Sequence, residues 1–421
     1  VKRQCEEKSA RVGAIQRFNK GHFMTLTIGL VAGEASGDNL AAGLMAALKS
    51  HPAMSGGIRF LGVGGPAMVA QGLEPLASID ELSVNGFKEP ILRLPQLWKL
   101  YRRLASTFQQ ENIDAFIGID FNVFNFLLEG RLKDSGIPTA HYVSPSVYAW
   151  RRGRTKRVAR SADVIFCLFP FEPVFYADLP VRAIFVGHPL AHEITEADTK
   201  ADKQQWARKQ LGVAQSDVVL AMLPGSRGSE IELMLEPFLQ AAEIIQARFA
   251  EQNKSVKVVI PCINAAREAQ VRKGIECAPQ LDIHIHQGQA RLALLACDAA
   301  LVKSGTSTLE AMLLKRPMVV SYRLGYWSHW IARLLVRTPY VAMPNILSNK
   351  ELVPELLQDQ AQPESLAQAL LGELENSRSN GEYFQPFANM RKTLEEGELG
   401  LGASNTAAQG IVDLLQEKGK L

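Results

Sequence analysis

The stretch Ala299-Ala300-Leu301-Val302-Lys303-Ser304-Gly305-Thr306-Ser307-Thr308-Leu309-Glu310 holds the pattern that decides the fold. A short apolar run leads into small hydroxylated residues, and a helix-periodic segment (Leu309, Met312, Leu313) follows. That order reads as strand, tight turn and helix. The first turn of such a helix presents unpaired N–H groups and a partial positive charge. Ser304, Gly305, Thr306 and Ser307 leave that backbone open to an anion. Glu310, one turn in, is placed to take hydrogen bonds from a ribose. A capped helix in any α/β protein shares the local pattern. What favours an anion site is a second loop, Leu223-Pro224-Gly225-Ser226-Arg227-Gly228, earlier in the same half of the chain.

Outward from these loops, strand and helix signals alternate over the whole chain. Strands are expected at Thr25–Ala32, Arg59–Val63, Ala115–Ile119, Thr139–Val143, Val164–Leu168 and Ala183–Val186. The pattern restarts at Val218–Leu223, then Val256–Ile260, Ile283–His286, Ala299–Val302, Met318–Tyr322 and Val341–Met343. Most are nearly continuous apolar runs, as parallel strands covered on both faces require. Leu40, Leu44, Ala47 and Leu48 have helical spacing, and another helix fills Met234 to Ala250. The polar stretch from His192 to Lys209 reads as the junction between two βα-repeating halves. Ligands of such sheets bind beyond the carboxyl ends of the strands, so a large site is expected in the cleft between the halves.

Composition agrees with that frame. The 421 residues are 47% hydrophobic and 21% charged, which suits two or three globular domains. A net charge of +3 is too small to argue for nucleic acid. No apolar run reaches the roughly 18 residues of a membrane span. The cysteines, Cys5, Cys167, Cys262, Cys277 and Cys297, are odd in number and form no Cys-x-x-Cys pair, so reduced thiols are expected. Val1 to Phe23 is polar, basic and weakly periodic, without the apolar centre of a secretory signal. The working chain is therefore expected to begin at Met24.

Several other loops carry chemistry. The first strand ends in Gly33-Glu34-Ala35-Ser36-Gly37-Asp38-Asn39, which is neither a dinucleotide fingerprint nor a Walker loop. Glu34, Ser36, Gly37 and Asp38 suit sugar hydroxyls; Ser36 or Asp38 capping a helix is the plainer reading. Asp120, at the end of the strand Ala115–Ile119, points a carboxylate toward the cleft as a candidate general base. In His141–Arg151, the residues His141, Ser144, Trp150 and Arg151 are candidates for an anionic sugar, although the basic run through Arg157 also fits a solvated helix face. Arg227 is the natural countercharge for a diphosphate beside Ser304–Thr308. Asn345 can read a nucleotide or hold a turn. Two stretches mix aromatic, apolar and cationic residues in the manner of interfacial helices. Ile91 to Leu104 contains Trp98, Tyr101 and Arg102, and Tyr326 to Arg337 contains Trp327 and Trp330. A core-facing helix with a basic outer side has the same composition. No His, Cys, Asp and Glu group has metal-ligand spacing.

Taken together, these motifs resemble the lipid-A-disaccharide synthase family, glycosyltransferase family 19. The resemblance runs from about Met24 to the C-terminal region. It rests on Val31–Asp38, His141–Trp150, Phe169-Pro170-Phe171-Glu172, Gly187-His188, Leu223–Gly228, Ser304–Glu310 and Pro344-Asn345 in that order. It implies an α/β GT-B fold, two Rossmann-like domains facing across a cleft, with C-terminal helices returning to the N-terminal domain. The implied division is an extension over 1–23, an acceptor and lipid-side domain over 24–195, a UDP-sugar domain over 196–385 and a helical segment over 386–421. The implied reaction joins UDP-2,3-diacylglucosamine to 2,3-diacylglucosamine 1-phosphate with inversion, giving a β-1,6-linked disaccharide 1-phosphate and UDP. No cofactor and no metal is implied. Peripheral attachment to the inner face of the inner membrane is implied, and a homodimer exchanging C-terminal segments fits the resemblance. The resemblance also divides the candidates. Asp120 is the base; Gly225, Ser226, Arg227, Ser304–Ser307, Glu310 and Asn345 face the donor; Trp98, Tyr101, Arg102, Trp327 and Trp330 face acyl chains or membrane.

One departure stands out. The family usually reads Gly-Ile-Asp-Ala-Pro-Asp-Phe-Asn where this chain reads Gly118-Ile119-Asp120-Phe121-Asn122-Val123-Phe124-Asn125. The first aspartate persists as Asp120; Val123 takes the place of the second. Three rivals remain at this level. One is a UDP-N-acetylglucosamine 2-epimerase on a similar two-domain fold. Another is a nucleotide-sugar binding protein that has lost catalysis. The third is a glycosyltransferase with another lipid acceptor.

Overall fold

The computed structural model describes residues 25–82, 89–145, 153–325 and 338–421, with backbone only for 89–93. The N-terminal extension and the stretch Tyr326 to Arg337 lie outside the described residues. The first half forms β1 (Leu26–Ala32), α1 (Ala35–Ser50), β2 (Ile58–Gly64), α2 (Pro66–Ala70), β3 (Leu73–Ser78), α3 (Glu89–Gln110), β4 (Ala115–Ile119), α4 (Asn122–Asp134), β5 (Thr139–Tyr142), α5 (Arg154–Ser161), β6 (Val164–Cys167) and β7 (Arg182–Phe185). The second half forms α6 (Pro189–Glu193), α7 (Ala201–Leu211), β8 (Val218–Leu223), α8 (Gly228–Ala250), β9 (Val256–Cys262), α9 (Ala265–Gly274), β10 (Asp282–Gln287), α10 (Ala290–Ala296), β11 (Ala299–Lys303), α11 (Thr306–Leu313), β12 (Met318–Tyr322), α12 (Met343–Ser348) and β13 (Glu355–Leu357). Helices α13 (Pro363–Ser379), α14 (Gln385–Glu396) and α15 (Ala403–Glu417) close the chain.

The strands make two parallel sheets, ordered β3-β2-β1-β4-β5-β6-β7 and β10-β9-β8-β11-β12-β13. In each, the chain starts in the middle, walks to one edge, then returns beside its first strand. The register is continuous across both return points, with Ala32 opposite Ile119 in the first sheet and Val302 opposite Leu223 in the second. Every residue of β4 and of β8 is buried, which is why these strands read as unbroken apolar runs. On one face of the first sheet α1 packs with α15, which returns from the far end of the chain. The opposite face is covered by α3 and α4. Arg182 fixes the returning helix by donating to the Gly410 carbonyl (3.1 Å) and pairing with Glu417.

Three expectations change. Val341–Met343 is not a strand. The Glu355 carboxylate accepts the N–H groups of Val341 and Ala342, and Met343-Pro344 opens α12, where a proline's missing N–H costs nothing. The last strand is β13 instead. Edge strand β3 was missed because Leu73 and Ala77 alone of its six residues are buried and it contains Pro75, which an edge strand tolerates. Most of the stretch from His192 to Lys209 is ordered structure of the second half. The α7 residues Ala207 and Leu211 enter its core, and buried Arg208 pairs with Asp298 at 2.8 Å.

Candidate active site

A doubly wound sheet opens a crevice where the strand order reverses, at the carboxyl ends of the two central strands. Here those ends are β1 and β4 in one sheet and β8 and β11 in the other, the four strands that deliver the loops singled out above. Backbone strain gathers at the first crevice. Asp120 and Phe121 are consecutive left-handed residues (φ 47° and 45°), and Val143, just past β5, has φ 86°. A β-branched or bulky residue in that region is rare and concentrates at functional sites.

A cavity of about 760 Å³ lies between the two sheets. Ser36 and Asp120 line it from one side and Thr306 and Glu310 from the other, with His188, His192, Glu193, Ser404 and Asn405 along its walls. A second cavity of about 380 Å³ is lined by Gly225, Ser226, Lys303, Ser304, Gly305 and Ser307. Thr306 lines both, so the two meet at the first turn of α11. Of the residues singled out in the sequence, Ser36, Asp120, Thr306 and Glu310 share the first cavity, and Gly225, Ser226 and Ser304–Ser307 line the second.

The electrostatics follow from packing. Burial, with Glu193 adding to it, pushes the Glu310 carboxyl above its ordinary range, and Arg291 at 3.8 Å opposes the shift. Burial would also raise Glu230 beneath the second cavity. Lys303 at 3.0 Å and the N–H groups of Ser226 and Arg227 outweigh it and hold that carboxyl low. The Arg227 guanidinium itself is 74% exposed, 4.0 Å from Glu230, whereas Lys303 faces into the cavity. Burial lowers the His188 imidazole to about 4, so it is neutral and accepts the Leu190 N–H through Nδ1 at 3.2 Å.

Other candidates have different tasks. Asp38 is buried, and its carboxylate accepts the N–H groups of Gly65 (2.8 Å), Ala67 (2.9 Å) and Met68 (3.0 Å). It caps α2 rather than its own helix, and both oxygens are engaged. Gly37 is buried beneath the Ile119 side chain, while Glu34 is exposed at the N-cap of α1. His141 is fully buried, its Nδ1 2.6 Å from Glu129 Oε1, and it belongs to the core instead of the cleft. Ser144 is also buried, 2.9 Å from the Tyr176 hydroxyl. Asn345 has no exposed surface. Its amide donates to the Val353 carbonyl and Glu355 (both 2.8 Å), and its oxygen accepts from Leu352 (2.8 Å) and Val353 (3.0 Å). Two donors and two acceptor sites are filled, leaving nothing for a nucleotide. Trp98 is half-exposed on α3, stacked on Tyr101 at 4.9 Å with Arg102 5.3 Å from its ring, and Leu94 beside it is 58% exposed. Trp150, Arg151, Trp327 and Trp330 lie outside the described residues.

Sequence reasoning missed Lys303 and the wall residues His192, Ser404 and Asn405. Lys303 ends a strand and leads straight into the anion loop, a signal that was available. Ser404 and Asn405 arrive on α15 from the distant C-terminus, and no local pattern reports that. Among the described residues no group of three His, Cys, Asp or Glu is placed to hold a metal ion, and no helix is long and apolar enough to cross a membrane.

Comparison with known proteins adds to this geometry. A family profile described as lipid-A-disaccharide synthetase matches residues 28–400. A lipid-A-disaccharide synthase of Saccharophagus degradans is 43% identical over 394 residues, covering 93% of this chain and 97% of the relative. One from Pseudomonas putida is 45% identical over 395 residues, covering 93% and 99%. Among solved structures, a putative UDP-N-acetylglucosamine 2-epimerase from Listeria monocytogenes aligns with a TM-score of 0.61 at 12% identity, covering 94% of this chain and 97% of that one. A glycosyltransferase from Rickettsia africae aligns with a TM-score of 0.56 at 10% identity, covering 94% and 99%. At such identities these two structures speak to the two-domain fold alone.

Proposed function

The chain belongs to the lipid-A-disaccharide synthase family and is a hexosyltransferase of lipid A biosynthesis; from that premise we propose how its cleft performs the transfer. The observation that carries the proposal is one cavity lined both by Asp120 from β4 and by Thr306 and Glu310 from α11. The donor, UDP-2,3-diacylglucosamine, rests its diphosphate on the Gly225–Ser226 and Ser304–Ser307 loops and its ribose near Glu310. The acceptor, 2,3-diacylglucosamine 1-phosphate, brings its 6-hydroxyl to Asp120. As O6 bonds to the donor's anomeric carbon, Asp120 takes the hydroxyl proton and the bond to the diphosphate breaks with its electron pair. Lys303, the first turn of α11 and Arg227 at the mouth stabilise the charge growing on UDP.

In this reading residues 24–195 supply the acceptor side, 196–385 the donor side, and 386–421 tie the two together. The exposed Leu94, Trp98 and Arg102 of α3 support attachment to the inner face of the inner membrane, where the acyl chains reside. Within one chain α15 packs on α1; a homodimer exchanging this segment would supply the same helix from its partner.

The decisive assay presents both lipids in detergent micelles and follows UDP and disaccharide by mass spectrometry. Equal amounts of both products are expected from the wild type. Asp120→Asn should retain UDP binding and lose turnover at least 100-fold, on the scale of general-base catalysis. Wild-type turnover in that variant would remove Asp120 from the mechanism.

A further inference from the structure

Asp120 and Phe121 stay in the unfavourable left-handed region because the structure beneath them, on α4, holds them there. Asn125 has no exposed surface, and its Nδ2 lies 2.8 Å from the Asp120 carbonyl, 3.1 Å from that of Val31 and 3.3 Å from that of Ile119. One amide therefore gathers the carboxyl ends of the two central strands at the crevice. The Asn125 backbone N–H also donates to the Phe121 carbonyl at 3.2 Å, and the Asp120 N–H donates to the Tyr142 carbonyl at 2.8 Å.

The surroundings are shaped to this arrangement. A Cβ on Gly118 would lie 2.8 Å from the Asn125 Cβ and 2.1 Å from Glu129 Oε1, so only glycine lets α4 seat its polar groups on β4. A Cβ on Gly33 would meet the Phe121 ring at 2.5 Å, so the first loop of the chain is cut to receive the residue after Asp120. One turn beyond Asn125, Glu129 holds buried His141 at 2.6 Å and packs against the same glycine. The polar floor under Asp120 is built from Asn125, Glu129 and His141, all without exposed surface.

We propose that Asn125 is a positioning residue for the transfer reaction: its side-chain amide fixes the left-handed Asp120–Phe121 turn and thereby aims the Asp120 carboxylate into the cleft. It touches no reacting atom and acts through the main chain at and beside Asp120. The proposal rests on Asp120 being the base. Deleting the amide frees the turn to relax toward ordinary backbone angles, and the carboxylate leaves its line to the acceptor hydroxyl.

The test uses full-length Asn125→Ala and the milder Asn125→Ser, which keeps a single donor. We expect kcat to fall about 100-fold in the first and less in the second. UDP affinity and both KM values should stay within about threefold of the wild type. Leu128→Ala, a buried truncation on the same helix, serves as a control for general destabilisation and should keep kcat in its folded fraction. In an Asp120→Asn background, Asn125→Ala should cause no further loss, because the group it positions is already gone. Unchanged kcat in Asn125→Ala, an equal loss in Leu128→Ala, or a full additional loss in the Asp120→Asn background would each overturn the proposal. Wild-type turnover by Asp120→Asn would instead overturn the reading beneath it.

Discussion

Glu172 gives the sharpest quantitative expectation because its environment fixes the sign of a pH effect. It closes the Phe169-Pro170-Phe171-Glu172 turn, is buried, and accepts the Phe169 N–H at 3.0 Å. The Phe169 ring in turn packs on His188, a wall of the cavity between the two sheets, at 5.2 Å between centroids. Burial pushes the Glu172 carboxyl from 4.5 to about 8, against the N–H groups of Phe169 and Leu168 and the Ser144 hydroxyl. Between those two values the folded protein keeps a proton that the unfolded chain releases. The contribution is therefore fully present below pH 4.5 and is lost as pH rises through about 8.

The slope is about 1.4 kcal/mol per pH unit well inside that window and falls to about half of that at pH 8, so about 2 kcal/mol of stability should disappear between pH 6 and pH 8 from this group alone. Glu172→Gln removes the titration while keeping the carbonyl acceptor. Urea unfolding of both proteins at pH 6, 7, 8 and 9 measures it. The difference in unfolding free energy should move in favour of the variant by about 2 kcal/mol from pH 6 to pH 8, then level off. Every other titrating group, His188 included, is common to both proteins and cancels. A difference that does not change with pH, or that moves against the variant, would refute the reasoning that burial dominates this carboxyl.

Two further substitutions separate structural from ligand-binding roles. Asp38→Ala strips the acceptor from three N–H groups and should cost about 3–5 kcal/mol by chemical denaturation, with acceptor KM unchanged in the folded protein. Undiminished stability with a raised KM would return Asp38 to the sugar site. Lys303→Ala should weaken UDP binding by about 1–3 kcal/mol in calorimetry, because the cation lines the cavity beside the α11 turn. An unchanged Kd would leave Lys303 as no more than the partner of Glu230.

These cases show which part of the site was readable from residues. The strands were legible because parallel strands buried on both faces cannot hide their apolar runs. The placement of the loops was legible because doubly wound sheets bring the ends of central strands together. Individual polar roles were not. Asp38, His141 and Asn345 sit in motif-like stretches and look the same on paper whether they face a ligand or satisfy the fold. Burial and hydrogen bonding distinguish them: Asp38 and Asn345 spend their capacity on backbone N–H groups from Gly65 to Met68 and on the 352–355 segment, and His141 is fully buried against Glu129. Asn125 was passed over for the opposite reason. It looked like the tail of a motif, yet it touches the backbone of the base candidate.

The same geometry bears on the departure from the family pattern. Val123 is 69% exposed and lines a neighbouring cavity of about 550 Å³ with Phe126, Arg154 and Arg157. It makes no part of the hydrogen-bond set around Asp120. What holds Asp120 is the Tyr142 carbonyl, the Asn125 amide and, through its Nδ2 at 3.2 Å from Asp120 Oδ1, Asn122. Asn122 stands where the family usually has proline, which has no side-chain donor. The exchange thus gives the carboxylate an extra orienting contact on one side and removes a charge from the rim of the neighbouring cavity on the other. Under the proposed mechanism, a change of this kind acts on how an acceptor is seated and leaves the Asp120–Phe121 turn intact.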